Sequence, residues 1–564
     1  MQHDRGYLSQ NDLKLLSERL EVPLYRVNEV VSFYPHFRRQ PPPQVRVQVC
    51  RDMSCHMAGA CELRAALGKI ADRFGEQQVH VESVSCLGRC DRAPAVMINE
   101  RPYMARTARQ LEDVVERCVD GHVPEPDFDI DHLAGQSQEW AIDVYRGDAR
   151  YDAVREFVKS PEPRRVIEAL EQAGLLGMGG AGGRAYKKWT DVWQAGGAQK
   201  YVVCNADESE PGTFKDRELL LRAPHLVLEG MILGGLVVGA SKGYVYVRHE
   251  YPEQIAAVDQ AIRAAERIGA CGRSIFGSGH SFELETFTSP GGYICGEQTA
   301  LIEAMEDKRA EPRNRPPELQ TNGLWDCPTL LNNVETFAWV PSIVLKDQGR
   351  WFAEQGRESC RGMRFFSVSG DVRRPGVYEV PNGITFATLL HEYCGGMRDG
   401  VALKAAALSG PSGGFVPARI PTRYLGRRFV SQLPPGTEFV ELNDLVLDIA
   451  TFRNIGLMLG GGIVVYGEQR DLVDEALACL KFFRNESCGK CVPCRIGSQK
   501  IVQIATDLHE RRYDEASFES QTALVNELTQ TMQTTSICGL GMVAANPFYG
   551  LLRFFPDEVK RYVP

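Results

Sequence analysis

The sequence predicts a multidomain α/β protein, and three observations carry that expectation. Its 564 residues are 43% hydrophobic and 24% charged, a globular composition. At ~100–200 residues per domain this length needs about three to five separate cores. Strand-like and helix-like patterns then alternate in two blocks, 45–100 and 163–360, as they do where helices cover a sheet. After 363 the pattern changes twice, first to short strands with many glycines and then to helical periodicity. The composition argues against a disordered or fibrous chain. A formal net charge of −9 argues against non-specific binding of nucleic acid or an anionic membrane.

The elements follow in chain order. Residues 1–41 read as a short helical lead, with Leu13, Leu16 and Leu20 on one face and Pro23 opening a run through Val27, Val30, Val31 and Tyr34. Pro41-Pro42-Pro43 breaks that pattern, and residues 42–120 form the next unit. There Val45, Val47 and Val49 alternate as a half-buried strand ending at Cys50, and Leu63, Leu67, Ile70 and Phe74 share a helix face. Val79 and Val81 begin a second strand and Ala95–Ile98 a third. This β-α-β-β order suits a small thioredoxin-like domain.

Residues 121–162, rich in Pro, Asp and Gly, read as a linker; 163–363 as an α/β layer domain with strands at 201–203 and 244–247; 364–447 as a β-rich insert; 448–564 as a helical domain. The most apolar stretch, 226–240, is interrupted by Glu229 and by glycines. It falls short of the ~20 apolar residues of a membrane span, so it reads as a buried helix and no membrane insertion is expected.

Seventeen cysteines cannot all pair, and the first twenty residues carry scattered charges with no apolar run, so the expected compartment is reducing and cytoplasmic. Clustered cysteines there read as metal ligands. Cys50 and Cys55, then Cys86 and Cys90, each lie where a strand gives way to a loop, so two loops can present two thiolates each to a [2Fe–2S] cluster. Structural zinc and separate buried thiols stay open as alternatives, although zinc sites more often use a two-residue gap. Cys61 and Cys118 fall on helical patterns and read as packing residues. In the second group, Cys488, Cys491 and Cys494 let one loop wrap three corners of a [4Fe–4S] cubane, with Cys538 as the natural fourth ligand and zinc as the alternative. Glycines beside Cys488 and Cys538 let backbone N–H groups approach sulfur.

The loop Gly177-Met178-Gly179-Gly180-Ala181-Gly182-Gly183 contains a G-x-G-x-x-G match that alone could be a flexible turn. Lys187, Lys188 and Trp189 follow it, and bare N–H groups beside lysines can hold a phosphate. Asn205-Ala206-Asp207-Glu208-Ser209-Glu210 comes at a strand's end, where polar groups suit ribityl or ribose hydroxyls as readily as a solvated turn. Gly291-Gly292-Tyr293-Ile294-Cys295-Gly296-Glu297-Gln298 sets an aromatic beside glycines, where a planar ring could lie.

Together these segments, with PTLLNNVET (328–336), ESCGKCVPCRIG and SICGLG, resemble the NADH-oxidising flavoprotein subunit of respiratory complex I and its soluble relatives. Residues 42–100 resemble the small thioredoxin-like [2Fe–2S] subunit of those enzymes, fused in front. The resemblance implies a Rossmann-like FMN/NADH domain, a β-grasp domain of the soluble-ligand-binding (SLBB) type at 364–447, and a C-terminal helical bundle carrying the cubane. Carried over by matching position, it implies FMN contacts from Gly177, Gly179, Gly180, Lys188, Asn205, Asp207, Glu208, Ser209, Tyr293, Gly296, Glu297, Asn332 and Asn333. Glu210 and Gln298 would hold NADH, with Glu208 in a supporting role and no side-chain nucleophile. The chain departs from the family's Gly-Arg-Gly-Gly-Ala-Gly-Phe loop at Met178 and Gly183, and from Gly-Glu-Glu at Gln298.

The implied activity is hydride exchange between NAD(H) and FMN, then single-electron exchange with the clusters. GMGGAG, Arg248-His249-Glu250-Tyr251 and GEQTALIEAMEDKRAEPRNRPPE are most similar to the β subunit of molybdenum- or tungsten-dependent formate dehydrogenases. That resemblance implies a hetero-oligomer with a large catalytic subunit carrying further clusters. A diaphorase subunit of a hydrogenase, a bifurcating complex or a complex I-type dehydrogenase is the alternative, and a non-catalytic electron relay with a decayed flavin pocket is a third.

Overall fold

A computed structural model describes residues 1–134 and 139–563, in which the strands form four sheets. The first holds β1 (Val45–Cys50), β2 (Val79–Val84), β3 (Ala95–Ile98) and β4 (Arg101–Met104) in the order β2-β1-β3-β4. β1 runs parallel to β2 and antiparallel to β3. Its alternating valines are buried with Leu63 and Leu67 of the helix Ala60–Phe74 and Leu111 and Val115 of the helix Ala108–Val119. β4 has no alternation to read and exists through its pairing with β3. Cys118 is buried as expected, but Cys61 is exposed and serves no core.

The second sheet is wholly parallel. β5 (Tyr201–Ala206), β6 (Lys242–Arg248), β7 (Glu283–Ser289) and β8 (Thr329–Asn333) stand in the order β7-β6-β5-β8. The chain therefore steps outward from β5 through β6 to β7, then crosses to place β8 on β5's other side. The apolar stretch near 226–240 is the buried helix Pro224–Val238, packed on Val334–Leu345. A side chain at Gly230 would strike the Phe337 carbonyl oxygen at 2.1 Å, so this helix contact requires glycine. Among the described residues no single helix is long and apolar enough to cross a membrane. The one bent pair of helices that would suffice, Lys215–Arg222 with Pro224–Val238 at 92°, lies in the core.

Two expected boundaries do not match the structure. Residues 121–162 are more than a linker: they form the helices Asp129–Ala134 and Asp152–Lys159, and Trp140, Ile142, Tyr145 and Tyr151 are buried. Residues 135–138 of that stretch lie outside the described residues. What ties the segment down is Glu229, whose carboxylate accepts from the Tyr145 hydroxyl at 3.0 Å and the Ala153 N–H at 2.9 Å. The boundary at 447 also cuts a sheet. β9 (Met363–Gly370), β10 (Gly376–Pro381), β11 (Leu403–Pro411) and β12 (Val416–Pro417) surround a later strand. β13 (Arg419–Pro421) and β14 (Phe439–Glu441) form a separate pair, and β15 (Gly462–Gly467) returns to give the order β10-β9-β15-β11-β12. β15 is parallel to β9 and antiparallel to β11. Its short apolar run has no period that distinguishes strand from buried helix.

In the C-terminal part the helices Leu472–Glu486, Val492–His509, Glu515–Thr535, Gly539–Val543 and Asn546–Phe554 pack around Phe482, Phe483, Ile501 and Val525.

Candidate functional site

All four polar motif segments emerge at the carboxyl ends of the parallel sheet. Asn205–Gly212 continues β5, Arg248–Tyr251 ends β6, 290–298 follows β7 and Asn332–Thr336 ends β8. Open parallel sheets bind ligands at this edge, in the crevice where strand order reverses, which here is between β5 and β8. Asn205 and Asn333 are register partners across that crevice.

The glycine loop closes over the crevice. The Gly177 N–H donates to the Gly183 carbonyl at 2.7 Å and the Met178 N–H to Thr336 Oγ1 at 2.9 Å. A side chain at Gly179 would lie 3.2 Å from Asn333 Cβ, whereas nothing lies within 4 Å of one at Gly180 or Gly183. Lys188 donates to the Leu331 carbonyl at 2.9 Å, and burial pushes its pKa down to about 8. Among the described residues it has no carboxylate within ion-pair distance. A half-buried cation without an acid, at the β8 end against which Gly179 of the glycine loop packs, fits an anion such as the phosphate of a flavin nucleotide.

The acidic residues divide by task. Asn205 donates to the Gly296 carbonyl at 2.8 Å, while Asp207 accepts from Ser209 and, at 2.8 Å, from Ser289. Burial raises Asp207 to about 6. Glu208 points elsewhere: it accepts the Asp216 and Arg217 N–H groups at 2.8 and 3.0 Å at the start of the helix Lys215–Arg222, and burial raises it to about 7. Glu297 likewise caps the helix Gln298–Met305 and takes Arg315 at 2.8 Å. Glu210 accepts from the Tyr293 hydroxyl and from the Ser412 N–H at 3.1 Å, so it faces the third sheet. Gln298 lies between Lys188 and Arg315. Asn332, with its amide turned to satisfy its neighbours, accepts from Trp189 Nε1 at 2.9 Å.

A buried network beside the crevice carries no signal in the sequence pattern. Lys215 pairs with Asp216 at 2.6 Å and Glu335 at 3.0 Å, and Asn333 donates to Asp216 at 2.6 Å. Of the three charged residues only Glu335 lies inside a quoted motif (328–336), and it is their burial that marks all three as more than surface charge.

The front domain brings its four thiols together. Cys50 is in hydrogen-bonding contact with Cys55 and Cys86, and Cys86 Sγ lies 3.6 Å from Cys90 Sγ. Backbone N–H groups of Gly88, Ala95 and Gly212 point at Cys86, Cys55 and Cys90 at 3.4, 3.4 and 3.3 Å. Of the second set, Cys494 lies beside Cys491 and 3.2 Å from Ser487 Oγ, and Cys538 lies within electrostatic reach of Cys488, but among the described residues no three of these side chains close to metal-binding distance. Burial first pushes both up, Cys494 to about 11 with the Cys491 and Cys488 thiols adding to it, and Cys538 to about 12 with Glu297 ahead of Cys488. Crowded thiols that resist ionising together suit a site where a metal supplies the cation, and the inward N–H groups suit cluster sulfur.

Comparison with known proteins agrees with this layout in chain order. Residues 1–119 match the thioredoxin-like [2Fe-2S] ferredoxin family, 170–342 the Nuo51 FMN-binding domain, 365–416 the SLBB domain and 474–562 the NADH-ubiquinone oxidoreductase-F iron-sulfur binding region. The NADH-quinone oxidoreductase F subunit of Aquifex aeolicus is 35% identical over 75% of this chain and 91% of its own. The chain belongs to the F-subunit family. The NAD-reducing hydrogenase HoxS subunit alpha of Cupriavidus necator is 32% identical across 99% of this chain and 90% of its own. The NADP-reducing hydrogenase subunit HndC of Solidesulfovibrio fructosivorans is 35% identical over 75% and 81%. Among solved structures, an NAD+-reducing [NiFe]-hydrogenase in the H2-reduced state superposes with a TM-score of 0.81 at 28% identity, covering 98% of this chain and 91% of that one. As an F-subunit family member, the chain is an NADH-oxidising diaphorase subunit with FMN, one [2Fe–2S] and one [4Fe–4S] cluster as cofactors and NAD(H) as substrate.

Proposed function

We propose that the chain exchanges hydride with NAD(H) in the β5–β8 crevice and passes single electrons to or from a large catalytic partner subunit. Glu486 carries this reading: it ends the helix that leads into Cys488, and its carboxylate accepts from Tyr293 of the flavin-side loop and from Ser85 beside Cys86. Bound FMN would supply the change between two-electron exchange with nicotinamide and one-electron exchange with clusters. The protein's part is placement. Lys188 and the loop N–H groups of 179–183 would hold the phosphate, Asn205, Asp207 and Ser209 order the β5 end, and Tyr293, packed on Phe482 and Phe483, keeps the side facing the cubane dry. Cys50, Cys55, Cys86 and Cys90 hold the [2Fe–2S] cluster, and Cys488, Cys491, Cys494 and Cys538 the cubane.

The cubane side offers the partner a surface. Val492 and Ile496 sit one helical turn apart and are 59% and 56% exposed, and Met542 beside Cys538 is 38% exposed. Apolar side chains grouped around a redox centre suit a docking face. For the partner's identity, the likeness of 248–251 and 296–318 to formate dehydrogenase β subunits supports a molybdenum- or tungsten-dependent formate dehydrogenase. The end-to-end likeness to the HoxS alpha subunit supports a hydrogenase as the second reading.

Anaerobic purification with whichever subunit travels along tests both levels. NADH should bleach a flavin spectrum, and iron should approach about six per chain. Bound clusters without flavin or any NADH response would overturn the diaphorase reading in favour of a bare relay. Formate-driven NAD+ reduction by the purified complex supports the formate partner, and hydrogen-driven reduction supports the hydrogenase.

A further inference from the structure

Three consecutive carbonyls in the loop between Cys86 and Cys90 are each taken by a different buried arginine. Arg248 Nη2 donates to the Cys86 carbonyl at 2.6 Å, Arg89 Nη1 to Leu87 at 2.9 Å and Arg217 Nη1 to Gly88 at 2.7 Å. The three side chains are no more than 3% exposed. Arg217 and Arg248 come from the flavin-side domain, at the head of the helix Lys215–Arg222 and at the end of β6. Arg248 also donates to the Glu208 carbonyl at 2.6 Å, so one guanidinium spans the flavin-motif segment and the cluster loop.

We propose that Arg248, Arg217 and Arg89 are positioning residues that raise the reduction potential of the [2Fe–2S] cluster held by Cys50, Cys55, Cys86 and Cys90. Two effects act in the same direction. A peptide whose carbonyl is drawn outward presents its N–H inward, as the Gly88 N–H does to Cys86 Sγ at 3.4 Å, and N–H donors favour the more negative reduced cluster. Fixed positive charge in a poorly screened interior favours the added electron as well. Each arginine has an acid partner: Glu250 at 3.1 Å from Arg248, Asp129 at 3.2 Å from Arg89, Asp91 at 2.9 Å from Arg217. Each guanidinium is bonded directly to one of the 86–88 carbonyls, and Arg248 is the cation that acts on the Cys86 thiol.

This inference rests on the cysteine assignment in the proposed function, and potentiometric titration of the full-length holoprotein followed by electron paramagnetic resonance separates the two. Arg248→Gln should move the [2Fe–2S] midpoint to more negative potential while the [4Fe–4S] midpoint stays put, and Arg248→Lys should give a smaller shift of the same sign. Glu250→Gln removes a countercharge but keeps an acceptor for Arg248, so it should move the midpoint the opposite way, and it serves as the sign test if Arg248→Gln does not fold. An unmoved [2Fe–2S] midpoint in Glu250→Gln and Arg248→Lys, or equal shifts of both clusters, would overturn the arginine role. A [2Fe–2S] signal that survives Cys86→Ser with Cys90→Ser would overturn the ligand assignment and this inference together.

Discussion

The carboxylate of Glu486 accepts the backbone N–H of Tyr293 at 2.8 Å, and its other oxygen takes the hydroxyl of Ser85. One side chain thus touches the loop after β7, the approach to Cys86 and, through its own backbone, the approach to Cys488. Replacing it with alanine leaves a partly buried N–H unpaired, at a cost of about 1–3 kcal/mol. Glu486→Ala should lower the melting temperature and the flavin retained after gel filtration, while Glu486→Gln, which keeps an acceptor, should lose less. Wild-type melting and flavin content in the alanine variant would show that the three loops hold their places without it.

Gly183 stands where the family's phenylalanine is expected, it is exposed, and a Cβ placed there meets nothing within 4 Å. Gly183→Phe should therefore change stability by no more than about 0.5 kcal/mol. If the ring contributes uniform binding to the nucleotide, KM for NADH should fall with kcat nearly unchanged. Steady-state kinetics at several NADH concentrations decide it, and an unchanged KM would mean that the open loop gives up no affinity.

Two glycines of the front domain should respond in opposite ways to alanine. Gly88 has φ +72°, and a Cβ there would fall 2.2 Å from the Tyr251 hydroxyl oxygen. The left-handed conformation alone costs ~1–2 kcal/mol in an L-residue, so Gly88→Ala should destabilise the loop and reduce bound iron by up to about two per chain. Gly68 lies inside the helix Ala60–Phe74 with nothing within 4 Å. Gly68→Ala should stabilise by about 0.4–1 kcal/mol. Melting curves paired with iron analysis test both, and equal effects would refute the geometric argument.

Burial raises the Glu229 carboxyl from its ordinary value of 4.5 to about 8. The folded chain therefore holds a proton there that the unfolded chain releases above 4.5. The stabilisation is complete below pH 4.5 and is lost as pH rises through about 8. Glu229→Gln should flatten that part of the stability profile between these limits and compare best with wild type at the alkaline end. Denaturant titrations across the window would refute this if both profiles ran parallel.

How far the sequence could be read depended on whether a residue's partner lay nearby in the chain. Val45, Val47 and Val49 announced β1 by their own alternation, and the two cysteine groups announced their chemistry by spacing. β15 could not be foreseen, because a short apolar run becomes a central strand only when two distant strands receive it. The segment 121–162 looked like a linker because its order comes from Glu229 and from Glu379, which accepts the Ala141 and Ile142 N–H groups at 2.6 and 2.8 Å. In the site, Gly179 lies against Asn333 and Lys188 donates to the Leu331 carbonyl, both at the end of β8. Glu208 and Glu297 instead spend their carboxylates on helix starts, a division of labour that the motif strings cannot express. The arginines over the 86–90 loop are likewise invisible in sequence, since Arg89, Arg217 and Arg248 meet only in three dimensions.

The central position of β15 also governs the order in which the protein can be made. Until residue 467 has left the ribosome, β9 and β11 have no common neighbour, and each exposes an unpaired edge to whatever else is nearby. The third sheet must therefore wait for the segment that leads directly into the cubane cysteines. Closing the sheet and presenting Cys488 for cluster insertion become successive moments of one maturation step, and a chain interrupted between them would have the sheet without the cubane ligands.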